Sequence, residues 1–165
     1  MEALKKIDIE ELMRRQAMLD KKFDEKETIR KRSVIRLRIA YITELGELAQ
    51  ELKSEWNYWK NYTKGIDKTK VLEELSDLLH FYLSHLNTEK RYLRYEKAWV
   101  YQDIEMLDLE KALYELINPG ISLLETTFAA MLYIVEYVGA TEEEFLQVHH
   151  EKWLKNMNIR IKEEY

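Results

Sequence analysis

The sequence predicts an all-α domain, a helical bundle of about five to six helices built on a four-helix core. Three observations carry this. The 165-residue chain has four glycines and a single proline, too few turn residues for many short strands. Its apolar residues recur every three or four positions over long stretches, the period of a helix with one buried side. Its length is that of one domain, residues 1–165, able to bury about 70 % of the surface its unfolded chain exposes.

The first helix is expected to open at Asp8, with Glu11 three residues on as a capping-box partner, and to carry Leu12, Met13, Leu19 and Phe23. Gln16 and Asp20, one turn apart, read from pattern alone as solvated polar positions. A second, continuous helix is expected from about Thr28 to about Trp59, with Val34, Leu37, Tyr41, Leu45, Leu48 and Leu52 as its buried face. Glu44, Glu47 and Glu51 form a stripe beside that face. The segment around Trp56, Tyr58, Trp59 and Tyr62 is dense in aromatic rings; it either closes the end of the bundle or offers a stacking surface, with Lys60 and Lys64 within reach of phosphates.

After a polar turn, a third helix is expected from an Asp67 cap to about Arg91, burying Val71, Leu75, Leu78, Leu79, Tyr82 and Leu86. Glu74, Asp77 and Phe81 share one of its stripes, so an aromatic ring lies in line with two acids. A fourth helix spans about Tyr101 to Leu116. Asn118-Pro119 reads as a cap and first residue of a fifth, apolar helix from Ile121 to Val138, either core or subunit interface, ended by Gly139. Glu125 and Glu136 interrupt it and argue against a membrane span. Thr141 and Glu144 make a second capping-box pattern, and Lys152, Asn156 and Arg160 then repeat at i, i+4 and i+8. That row is either an anion-binding edge or a basic end complementing the helix dipole.

A net charge of −5 argues against a general nucleic-acid binder, which needs a basic surplus on some face. The absence of cysteine excludes disulfides and thiolate metal sites, and no basic-then-apolar leader opens the sequence, so a cytoplasmic protein is expected.

The candidate chemistry lies in two acidic pairs, Glu44-x-x-Glu47 and Glu74-x-x-Asp77. A helix aims residues three apart to nearly the same side, and the chain between the pairs is long enough for an antiparallel return that faces them together. One such pair on a helix is usually an exposed face. Four converging carboxylates repel, so a cation is the natural counterpart; oxygen ligands without cysteine suit Mg2+, or Mn2+, better than zinc. His80, three residues after Asp77, is either a structural histidine or a ligand. Asp77-x-x-His80 superficially matches a di-iron ligand pair, but such bundles need two and the sequence has no second.

The stretch ELGELAQELKSEWNYWK followed by EELSDLLHF resembles the all-α nucleoside triphosphate pyrophosphatases, most closely the dimeric dUTPases. Gln16-x-x-Leu19-Asp20 is similar to that family's amino-terminal pattern. The resemblance implies that Glu44, Glu47, Glu74 and Asp77 bind magnesium, and that dUTP, and dUDP as a second substrate, is hydrolysed, dUTP giving dUMP and pyrophosphate. It implies a water activated by Glu44 or Glu47, and a base pocket formed with Gln16, Trp59 and His80, next to Lys60 and Phe81. Lys152, Lys155, Asn156 and Arg160 would contact phosphate, in a homodimer with no nucleic-acid or membrane partner. Two other readings remain open: a MazG-like enzyme for another nucleotide such as dCTP, and a non-catalytic helical interaction protein.

Overall fold

A computed structural model describes residues 1–26, 30–93, 108–117, 124–160 and 162. Among the described residues it contains seven α-helices and no strand. They are α1 (Ile9–Glu25), α2 (Val34–Glu51), α3 (Lys53–Trp56), α4 (Lys68–Glu89), α5 (Leu109–Ile117), α6 (Leu124–Tyr137) and α7 (Glu142–Lys155), followed by a π-helical turn, Asn156–Arg160. The all-α class is as expected.

Helices α1, α4 and α7 are among those that start where short polar side chains satisfy the free amides of a first turn. Asp8 Oδ1 accepts from the Glu11 amide at 3.0 Å, and Asp67 Oδ1 from the Lys70 amide at 3.3 Å. Thr141 and Glu144 form the reciprocal box, with bonds of 3.1 and 2.7 Å.

The second helix is a correction. It opens after Ser33, whose hydroxyl accepts from the Arg36 amide at 3.3 Å, and breaks at Leu52 before the short α3. Trp56 stabilises the break: its indole Nε1 donates to the Ala49 carbonyl at 2.8 Å. The expected continuation to Trp59 fails through this packing, with no proline or glycine in the broken stretch. Thr28 lies outside the described residues, as do Asn118-Pro119 and 101–107 of the fourth expected helix.

The apolar stripes pack as their periods require. Leu37, Tyr41, Leu45 and Leu48 of α2 face Val71, Leu75, Leu78, Leu79, Tyr82 and Leu86 of α4, all buried. Tyr41 meets Tyr82 while Glu44 meets Asp77, one number rising as the other falls, so the two helices run antiparallel. Phe128 to Val135 of α6 are buried within the chain except Tyr133, making this apolar helix part of the core. Gly139, at φ +72°, turns the chain out of it through the left-handed region. Cross-links position the remaining helices: Trp153 Nε1 donates to the Arg15 carbonyl at 2.9 Å, tying α7 to α1, and Asn87 Nδ2 to the Met13 carbonyl at 3.0 Å, tying α4 to α1. No helix among the described residues is long and apolar enough to cross a membrane.

Candidate active site

The carboxylates come from two helices whose rotation the core fixes. With Leu45 and Leu48 turned inward from α2 and Leu75 and Leu78 from α4, the flanking acids are held at the seam between them. Oxygens of Glu44, Glu74 and Asp77 lie within 4.8 Å of one another, close enough for one cation to meet all three. Glu47 stands outside this group of three, yet near enough for its charge to act on both Glu44 and Glu74.

Burial, then the charges of Asp77, Glu47 and Glu74, push the Glu44 carboxyl up to about 7. Glu74 is raised chiefly by burial, with Lys152 opposing and Asp77, Glu47 and Glu51 adding. Crowded acids of this kind are relieved by a divalent cation, and an all-oxygen donor set fits magnesium or manganese. In this structure the relief comes from the protein: the Lys152 ammonium, reaching over from α7, donates to Asp77 Oδ2.

Beside the carboxylates opens a cavity of about 490 Å³ whose lining includes Glu44, Asp77, Gln16, Asp20, His80, Phe81 and Asn156, the apolar Leu19, Phe23 and Leu37, and the basic Lys26, Arg32 and Arg36. Its size suits a small molecule. One wall is a connected polar chain. Arg32 donates to Asp20 Oδ2 at 3.3 Å, and clamps Asp24 through Nε and Nη2 at 3.1 and 2.7 Å. Gln16 Nε2 donates to Asp20 Oδ1 at 2.8 Å, which turns its Oε1 to His80 Nδ1 at 2.7 Å. An amide oxygen only accepts, so His80 carries its proton on Nδ1. The His80 ring stacks on His149 at 4.1 Å, and His149 Nδ1 lies 3.0 Å from Ser76 Oγ. Burial pushes His149 down to about 3, leaving it neutral. Burial likewise raises Asp20, against the pull of Gln16 and Arg32.

Of the sequence-derived candidates, Gln16, Glu44, Asp77, His80, Phe81 and Asn156 line the cavity, and Glu74 and Lys152 adjoin it through the carboxylate cluster. Gln16 and Asp20 are buried, against the expectation of solvated positions, because each satisfies the other. Trp59 does not line the cavity; it is 59 % exposed beyond α3, with its ring against Trp56 and Tyr58. Lys60 sits near the Tyr62 ring, and Lys155 is exposed on α7. The Arg160 side chain is outside the described residues. Sequence reasoning missed Arg32, Ser76 and His149. Only His149 carried a signal, its position three residues before Lys152, on the same side of α7.

A family model described as dUTPase matches residues 8–165, a span that takes in both acidic pairs and every helix of the cavity. None of the curated proteins matches the chain.

Proposed function

The chain belongs to the all-α dUTPase family and hydrolyses dUTP, and we propose that it does so with magnesium at the seam between α2 and α4, releasing dUMP and pyrophosphate. The observation that carries this is the convergence of Glu44, Glu74 and Asp77 on a cavity whose other wall holds an oriented amide and imidazole.

Glu44, Glu74 and Asp77 would hold the cation, with Glu47 adding charge behind them. When bound, magnesium neutralises phosphate charge and lowers the pKa of water at the α-phosphorus. Of Glu44 and Glu47, Glu44 is favoured to orient that water and take its proton, because it lines the cavity while Glu47 stands outside the group of three. Water adds to the α-phosphorus, the bond from it to the bridging oxygen breaks, and pyrophosphate leaves with that oxygen. Lys152 and Asn156 stand on the α7 side for the phosphates. Phe81 supplies an apolar surface for the base, whose ring N–H the Asp20 carboxylate can accept; Gln16 and His80 hold that edge in place. A cytosine amino group could use the same carboxylate, so the test includes dCTP.

Pyrophosphate and monophosphate release from dUTP, dCTP, dTTP, dATP and dGTP, each with magnesium or with excess chelator, tests the reading. Turnover of dUTP alone, only with metal, and as dUMP plus pyrophosphate, is expected. Preference for dCTP would transfer the site to the MazG-like reading, and consumption of none would leave a helical interaction protein.

A homodimer in the cytoplasm belongs to the same proposal. Since α6 is core, the support for a second copy lies on α2, whose outer stripe leaves Ile35, Ile39 and Ile42 exposed at 72, 61 and 59 %. With Ile117, these isoleucines line a further cavity of about 360 Å³. Light scattering at micromolar concentration is expected to give twice the chain mass, and Ile39→Glu to halve it; a monomer before substitution would refute the dimer.

A further inference from the structure

The lysine that neutralises the acidic cluster is rooted in a rigid helix. The hydrogen bonds of Trp153 and His149, at 2.9 and 3.0 Å, fix α7 on either side of Lys152, and Phe145 and Leu146 bury its first turns. Its backbone is therefore held while its four-carbon stem can swing. The ammonium is bonded to Asp77 Oδ2, an oxygen of the same carboxylate that a cation would use. The side chains of the pair are only 21 and 19 % exposed, so solvent screens their attraction less than that of a surface pair. Asn156, one turn further along the chain, lines the nucleotide cavity, which places Lys152 between the carboxylates and the space for phosphates.

We propose that Lys152 is an internal counter-ion that occupies Asp77 until nucleotide arrives, then moves to the triphosphate, so that metal and nucleotide enter the site together. This rests on the metal reading above. A divalent cation entering alone must displace the ammonium or sit beside a like charge, and either weakens its binding. A triphosphate offers the ammonium a more negative partner and frees Asp77. By linkage, the factor by which nucleotide tightens metal is also the factor by which metal tightens nucleotide. Lys152 is thus a positioning residue for the metal ligand as well as a phosphate contact, and it keeps the empty cluster from holding a tightly bound ion.

The test is Mn2+ binding followed by electron paramagnetic resonance, to protein alone and with α,β-imido-dUTP, a non-hydrolysable analogue. Lys152→Ala is expected to bind Mn2+ without nucleotide about five- to tenfold more tightly than the unaltered chain, the effect of releasing a partly buried ion pair. The further tightening that the analogue brings is expected to shrink in this variant. Lys152→Arg should keep the weak binding. Lys70→Ala, which removes the same charge from an exposed position one turn before Glu74, should change it by at most about twofold. Lys152→Gln, which retains most of the stem, repeats the measurement if the alanine chain loses its helical circular dichroism. Unchanged or weaker nucleotide-free binding in Lys152→Ala or Lys152→Gln, or equal tightening in Lys70→Ala, would overturn the proposal. If the unaltered protein takes up no Mn2+ even with the analogue, the metal reading itself fails, a result distinct from failure of the lysine's role.

Discussion

Glu44→Gln is expected to lower dUTP turnover at least about 100-fold while making the metal-free protein more resistant to heat at about pH 8. Both effects have one cause. The amide keeps the shape of the side chain, so α2 and the core it packs against are undisturbed, but it removes a charge that the cation requires and that the empty site resists. Burial and three neighbouring acids raise Glu44 from 4.5 to about 7. The folded chain thus holds this proton more tightly than the unfolded chain. Its contribution to stability is fully present below pH 4.5 and is lost as pH rises to about 7. Melting curves in chelator across that range should therefore fall more steeply for the unaltered protein than for Glu44→Gln. Equal slopes together with retained turnover would remove Glu44 from the site.

Gln16→Leu is expected to cost about 2–4 kcal/mol of stability, roughly 6–12 °C in melting temperature, and to weaken discrimination between dUTP and dCTP. Gln16 is 4 % exposed and engaged at both ends of its amide. Leucine has similar bulk but leaves His80 Nδ1 and Asp20 Oδ1 without the partner they share, in a place water reaches poorly. A purely structural link would alter stability alone. An amide that holds the base-reading edge should also raise KM for dUTP, measured on the fraction that remains folded. Wild-type melting and selectivity in the same variant would contradict this account of the polar wall.

The features readable from sequence are those set by local rules. Asp8, Asp67 and Thr141 cap helices because their side chains reach amides two or three residues away, and the stripe from Leu37 to Leu48 identifies a core face by its period. The acidic pairs were visible for the same reason, since spacing of three fixes a shared side. The break at Leu52 was not, because a tryptophan folding back on Ala49 makes it. Gln16 and Asp20 looked solvated since their partners, His80 and Arg32, come from other segments. The bond from Lys152 to Asp77 joins residues 75 positions apart, a distance over which no periodicity speaks. The site thus combines two locally coded acidic faces with a polar wall that only tertiary packing assembles.

These carboxylates are expected to hold the cation for dUTP hydrolysis, and anomalous diffraction from crystals grown with Mn2+ and α,β-imido-dUTP locates that cation independently of turnover. The expected result is a manganese peak bounded by Glu44, Glu74 and Asp77, with the triphosphate on its open side and Lys152 turned from Asp77 toward it. Nucleotide bound in the cavity with no manganese at those three carboxylates would contradict it.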